Sequence, residues 1–342
     1  MRIATYNVEW FNSLFDDAGQ PFADDEPSGR QGISRARQLE ALGIVFTALN
    51  ADLVMVIEAP DHNGRRSTVT ALERFAAIFD LRTKQSIIGF PNDTQQEIAL
   101  MFDPFVVTPR HDPLGEATGK KGSDSDPRFD GVLRIDLDLD GSEDLVSFSK
   151  PPLELELITA RGDMIRMIGA HLKSKAPHGA RGRDAVMRLA IANRRKQQAQ
   201  AVWLRRRVVR HLELGESMIL LGDLNDGPGL DEYEDLFGRS SVEVVMGPEG
   251  PMGLYDPHAR EAVHQRPGVA SPTTARFFIQ HDDRYLEALL DYIMISNDLM
   301  DKTPRWRIWH PFNDPACWKV PELRDALMDA SDHFPVTLDI DL

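Results

Sequence analysis

The sequence predicts an α/β protein whose strands carry polar residues at their ends. Three observations predict it. Short apolar runs at 53–57, 98–102 and 218–221 have the length and composition of buried strands. Longer segments between them repeat apolar residues at helical spacing. Asn, Asp, Glu and His recur where the apolar runs end. Pattern alone allows either one doubly wound sheet or two packed sheets.

Residues 2–8 are apolar and β-prone, so the first element is a strand. Residues 12–32, rich in Gly, Pro and Asp, read as a loop. Leu39, Leu42, Val45, Phe46 and Leu49 share one helix face and predict a helix over 33–50. A buried strand at 53–57 ends at Glu58, and a second helix covers 69–79. Strands follow at 98–102, 132–137, 153–159 and 164–171, with the polar stretch 109–130 as a long loop or flap. The longest helix is predicted over 184–212, where Val186, Leu189, Asn193, Gln197, Ala201, Leu204 and Val208 form one stripe. Arg188, Arg194, Arg195, Lys196, Arg205, Arg206 and Arg207 lie on its other faces and read as a solvated surface rather than a phosphate-steering one. Strands at 218–221 and 289–295 come next, the second containing Asp291. Residues 303–321 mix Pro with Trp306, Trp309 and Trp318, whose default role is packing. Ser331, Asp332 and His333 precede a last strand. No internal repeat or linker composition interrupts the chain, so residues 1–342 read as one domain.

Composition narrows the function. Of 342 residues, 42% are hydrophobic, which suffices for a sizeable core. The net charge is −15, from 39 basic and 54 acidic residues. Such a chain does not coat polyanions; nucleic acid would need a local basic groove or bridging metal ions. Cys317 is the only cysteine, which excludes an intrachain disulfide and a cysteine-based zinc site. The first residues read as a strand rather than a signal peptide, and no stretch has the length of a membrane span. The expectation is a soluble, cytoplasmic protein with no transmembrane segment and no protein partner.

The strand ends supply Asn7 with Glu9, then Glu58, then Asp223 with Asn225, and finally adjacent Asp332 and His333. Rigid strands present such groups together. Oxygen and nitrogen donors without cysteine suit Mg²⁺ or Mn²⁺. Singly, each has an ordinary explanation: Asp223 and Asn225 could form an Asx turn, and Asn7 a cap.

Asn7-Val-Glu9, Val-Ile-Glu58, Ala-His171-Leu-Lys173-Ser-Lys175, Gly-Asp223-Leu-Asn225, Leu-Asp291-Tyr-Ile and Ser-Asp332-His333 occur in that order. Together they resemble the endonuclease/exonuclease/phosphatase superfamily. Its members include deoxyribonuclease I, the apurinic/apyrimidinic endonucleases, neutral sphingomyelinases and inositol polyphosphate 5-phosphatases. The likeness runs from residue 3 to residue 336. It implies a four-layer α/β/β/α sandwich of two mainly antiparallel mixed sheets flanked by helices.

It also implies roles. Glu58 would be the principal metal ligand, with Asn7 and Asp332 contributing. Asp223 would activate or orient water, with Asn225 fixing its position. Asp291 would orient His333, which meets the phosphate. His171 would contact phosphate or protonate the leaving oxygen, and Glu97 would pair with it. Asn7, Asn225, Lys173 and Lys175 would bind substrate. Glu9 departs from the aspartate found there in some branches, so its role is less fixed. The His171-Leu-Lys-Ser-Lys stretch resembles bacterial nuclease-type members. The preferred reading is therefore a metal-dependent nuclease acting on DNA or RNA. The alternative is a phosphoesterase for a phospholipid or a small phosphorylated metabolite. A non-catalytic binding protein on the same scaffold would have lost site residues, and none is lost.

Overall fold

Two six-stranded sheets lie face to face, and helices cover their outer sides. The computed structural model describes residues 1–137, 141, 143–177, 179–228, 238–264, 271–279 and 283–342. In chain order the first elements are β1 (Arg2–Asn7), α1 (Arg35–Leu49), β2 (Leu53–Ala59), α2 (Thr68–Ile78), β3 (Gln85–Ile88), β4 (Glu97–Phe102) and β5 (Val107–His111). Then come β6 (Leu133–Ile135), β7 (Asp144–Val146), β8 (Leu153–Thr159), β9 (Met164–His171), α3 (Arg183–Glu213) and β10 (Met218–Asp223). They are followed by α4 (Ser241–Met246), β11 (Leu254–Tyr255), α5 (Pro257–Val263), β12 (Ala275–Ile279), β13 (Arg284–Ala288) and β14 (Asp291–Ser296). The last are β15 (Arg305–Ile308), α6 (Pro315–Trp318), α7 (Pro321–Ala330) and β16 (Val336–Asp339).

Sheet one runs β15-β16-β1-β2-β4-β3, and sheet two runs β11-β14-β10-β9-β8-β5. Period-two alternation divides the apolar residues into layers. Ile3, Met55 and Ile57 of sheet one meet Met167, Ile219 and Leu221 of sheet two. Their neighbours Tyr6, Val54 and Val56 pack on Leu42, Phe46, Phe75 and Leu327 of the helices beside sheet one. Ile168, Ala170 and Leu220 pack on Trp203, Leu204 and Val208 of α3. The result is the α/β/β/α order. At Gly169 the sheets touch, since an added Cβ would collide with Met55 Sδ.

Each sheet contains one parallel pair between antiparallel neighbours. β1 and β2 are parallel, flanked by β16 and β4; β10 and β9 are parallel, flanked by β14 and β8. The carboxyl ends of these two pairs carry Asn7, Glu58, His171 and Asp223.

Local chemistry sets the boundaries. Ser34 caps α1 by accepting from Arg37 N, and Asn50 closes it at φ 43. The helix is therefore shorter at both ends than predicted. Residues 109–111 belong to β5, which tolerates Pro109 because it is the edge strand of sheet two. Further along, Arg207 of α3 anchors this stretch at Asp126 Oδ1, 3.0 Å, and the Pro127 carbonyl, 2.9 Å. The predicted strand at 132–137 forms the short β6, which pairs with β7 and bridges to Ser123. The arginine-rich faces of α3 are not simply solvated. Arg194 and Arg207 are buried, Arg207 is paired with Glu154, and Arg205 donates to the Val245 and Met246 carbonyls. Trp306 and Trp309 pack as expected, donating to the Ile293 carbonyl and Thr337 Oγ1, while Trp318 stays exposed. No described helix is long and apolar enough to cross a membrane.

Candidate active site

A cleft of about 750 Å³ opens over the carboxyl ends of the two parallel pairs. It collects Asn7, Glu9, Glu58, His171, Lys173, Lys175, Asp223, Asn225, Asp332 and His333. A larger hollow, about 1100 Å³, lies outside α3 against Arg206, Val244 and Arg260. It holds none of the strand-end groups, so the smaller cleft is the one with the chemistry.

Asp223 is buried at the end of β10 and is held from three directions. Asn7 Nδ2 donates to its Oδ2 at 2.9 Å, Asn225 Nδ2 to the same oxygen at 3.1 Å, and Asn225 N to Oδ1 at 2.7 Å. Asn225 takes a left-handed φ of 50, which Asn tolerates better than bulky residues. Gly222 before it has φ 131 and no room for a side chain, because a Cβ would collide with the Ala170 carbonyl oxygen. Burial pushes the Asp223 carboxyl up to about 7, against the lowering effect of His333 and its hydrogen bonds.

Glu58 faces Asp223 from sheet one. A register shift between Ile57 and Ala59 puts it at φ 63 and turns its side chain into the cleft. Gln96 Nε2 donates to Oε2 at 2.6 Å. Burial pushes this carboxyl up to about 7 as well. His171 Nε2 lies 3.6 Å from Asp223 Oδ2 and 4.0 Å from Glu58 Oε1. Burial, with Lys150 and His333 nearby, holds His171 well below the usual imidazole value, so its ring is neutral.

His333 has the opposite state. Burial alone would lower it, but the Asp291 carboxylate bonded to its Nδ1 at 2.8 Å outweighs that, with Asp223 and Asp332 adding to it. The imidazole is held well above its usual value and is protonated. Thr274 Oγ1 donates to the same Asp291 oxygen at 2.8 Å and accepts from Asp291 N at 3.0 Å. That fixes the carboxylate.

The remaining predicted residues divide. Asp332 lines the cleft. Glu9 lines it too, paired with Arg30. Lys173 lines it, but the Lys175 ammonium is engaged by buried Asp226. Glu97 does not meet His171. Its carboxylate accepts from Asn92 Nδ2 at 2.8 Å, and His171 Nδ1 has no partner among the described residues.

Sequence reasoning missed four contributors. Lys150, in the loop before β8, lines the cleft; burial lowers its ammonium while Glu58 and Asp223 raise it. The β12–β13 hairpin supplies an apolar wall of Phe277, Ile279, Leu286 and Ala288, with the Phe277 ring 5.5 Å from that of His333. Gln197, placed on the buried stripe of α3, is a polar bracket. Its Nε2 donates to the Lys173 and Asn225 carbonyls, each at 2.8 Å. Gln200 accepts from Lys173 N at 2.9 Å and donates to the Ser147 carbonyl at 3.0 Å. A Ser-Lys-Pro-Pro turn and two amides on a helix stripe carry no signal by themselves.

The sequence pattern of the Endonuclease/Exonuclease/phosphatase family matches residues 4–333. The chain belongs to that family. Endonuclease/exonuclease/phosphatase proteins are hydrolases of phosphoester bonds, and this one is such a hydrolase. No curated protein matches the sequence. Solved structures share the fold at low identity. An AP endonuclease from Archaeoglobus fulgidus is 12% identical with a TM-score of 0.51, each chain covered in full (100%). The 3′ phosphatase NExo from Neisseria, a variant bound to product DNA hairpin, is 15% identical with a TM-score of 0.50, again with 100% of both chains covered. Truncated TDP2 from Caenorhabditis elegans is 14% identical with a TM-score of 0.48, covering 98% of this chain and 95% of that one.

The cleft of this endonuclease/exonuclease/phosphatase protein fits a hard divalent cation. Asn7 Oδ1 is buried without a partner among the described residues, a costly state that a bound cation would relieve. Two donor sets are present. Asp223, Asp291 and His333 place ligand atoms within 4.8 Å of one another, partly because Asp291 and His333 are bonded together. Asn7, Glu58 and Asp332 are all oxygen donors facing the cleft, and Glu58 Oε1 is not used by Gln96. The second set suits Mg²⁺ better, because no member spends its free atom on another.

Proposed function

We propose that this protein is a divalent-metal-dependent phosphodiesterase that cleaves nucleic acid by in-line attack of water. The observation that carries the reading is the buried Asp223 carboxylate, fixed by Asn7 and Asn225 beside His171, with His333 held nearby by Asp291. Environments that push like groups apart mark acid and base assignments.

In this reading Glu58, Asn7 and Asp332 hold Mg²⁺ or Mn²⁺, which when bound offsets phosphate charge. Asp223 orients the attacking water and takes its proton, its high value keeping it near neutral pH. His333 carries the proton needed at a departing or phosphoryl oxygen, and Asp291 holds the ring in one orientation. His171 stays neutral and contacts phosphate from the far side of Asp223. Lys150 and Lys173 add local positive charge in a chain of net charge −15. Residues 1–342 act as one unit.

Nucleic acid is the preferred substrate because the cleft joins cationic side chains to an apolar wall that suits a nucleoside. The AP endonuclease and the DNA-bound 3′ phosphatase share this fold. The same wall would take an acyl chain, which is the observation favouring a phospholipid or other small phosphoester. Release of acid-soluble product from DNA and RNA, beside sphingomyelin and a generic phosphodiester, separates them. Each substrate is tested with Mg²⁺, with Mn²⁺ and with chelator. Activity that survives chelation overturns the metal assignment. Isotopically labelled water found in the enzyme instead of the product phosphate overturns direct attack.

A further inference from the structure

Trp10 stands in a left-handed backbone conformation, φ 60 and ψ 22. Bulky residues are held there only where their surroundings determine it, and such residues gather at functional sites. The surroundings of Trp10 are specific. Its Nε1 donates to Glu9 Oε1 at 2.9 Å, and Glu9 lines the cleft. Glu9 is itself fixed by Arg30, which also donates to the Met328 carbonyl at 2.8 Å. The ring rests on Gly29, at φ 103, where an added Cβ would lie 2.9 Å from Trp10 Cγ and 3.0 Å from Cδ2. One edge and one side of the indole are thus pinned, yet Trp10 is 49% exposed. Trp306 and Trp309, which pack, show no such combination.

We propose that Trp10 is a stacking platform for a nucleobase beside the scissile phosphate. The proposal rests on the nucleic-acid reading above. A pinned indole bonded to Glu9, which lines the cleft, offers a flat surface with little rotamer freedom left to lose. Every base has a π-face, so stacking holds a strand without reading its sequence. A chain of net charge −15 gains little affinity from long-range attraction to phosphates, so contacts of this kind carry more of the binding.

The test compares a single-stranded DNA oligonucleotide with one of the same length carrying abasic spacers at alternate positions, both with Mg²⁺ or Mn²⁺. The wild-type enzyme is expected to show a KM about ten-fold lower on the base-bearing strand, equivalent to ~1.4 kcal/mol. Trp10→Ala should erase that preference. Trp10→Phe, which keeps a flat ring but lacks the donor to Glu9, should retain most of it. Trp10→Ala keeping the full preference overturns the platform. So does Trp10→Phe losing as much as Trp10→Ala, because the indole would then only be holding Glu9. A wild-type enzyme that cleaves no nucleic acid sinks the nuclease reading and this proposal with it. Cleavage with an undiminished preference in Trp10→Ala removes the platform alone.

Discussion

Asp223 and His171 are register partners on adjacent parallel strands, and Asp223 Oδ2 lies 3.6 Å from His171 Nε2. Sheet two alone therefore brings an acid and an imidazole together. Sheet one adds Asn7, whose amide reaches the same carboxylate oxygen at 2.9 Å.

Replacing that carboxylate is the most direct test of the chemistry. Asp223→Asn should lower kcat by about 10²–10⁴-fold, the usual worth of general acid–base help. It should not lower the melting temperature much, because a buried carboxylate carries a desolvation cost that the amide avoids. Steady-state rates beside a thermal melt decide it. A near-normal kcat removes Asp223 from the mechanism.

Glu58 and Asp223 make stability depend on pH in the metal-free protein. Both folded values are pushed to about 7, above ordinary values of 4.5 and 3.8. The folded state then binds protons more tightly than the unfolded state. Their contribution is full below about pH 4 and is lost as pH rises through about 7. A cation that binds the ionised carboxylates acts in the opposite sense. Mg²⁺ should therefore raise the melting temperature more at pH 8 than at pH 5, measured against chelator. Glu58→Gln should shrink that rise. An equal rise at both pH values would separate the carboxyls from the metal.

The Asp291–His333 pair predicts a shift in the pH–rate profile. The Asp291 carboxylate keeps the imidazole protonated well above its usual value. Stability from that pair is full below the ordinary histidine value and disappears as pH rises through the raised one. Asp291→Asn should move the alkaline limb of kcat to lower pH, so activity at pH 8 falls more than at pH 6. A profile that keeps its shape would leave Asp291 a purely structural role.

Gln197 makes a claim about positioning. Gln197→Met keeps the shape of the side chain but leaves the Lys173 and Asn225 carbonyls without their donor. Unsatisfied buried acceptors cost ~1–3 kcal/mol in stability. Because both loops carry cleft residues, kcat should fall about ten-fold while KM changes little. Loss of stability with kcat intact would make Gln197 an ordinary core bond.

Much of this was legible before the structure, for an identifiable reason. Asn7, Glu58, His171 and Asp223 end or follow apolar runs, so period and polarity locate them. What was not legible depends on distant partners. Arg207 looks solvated on a helical wheel, yet it is buried against Glu154 and Asp126, 53 and 81 residues away. Glu97 lies next to an apolar run like the others, but Asn92 takes its carboxylate. The β12–β13 hairpin belongs to neither large sheet, so no buried run announces it.

The place of β16 has a consequence for how the protein comes into being. It sits between β15 and β1, pairing Asp339 with Arg2, 337 residues away. A nascent chain emerging from the ribosome can form β1 and β2 early, but sheet one keeps an open edge until residue 339 is made. His333, just before β16, arrives equally late. Synthesis thus delivers Asn7 and Glu58 long before the proton-bearing imidazole. On the role proposed for His333, a chain made in this order is expected to stay inert until β16 has joined its sheet.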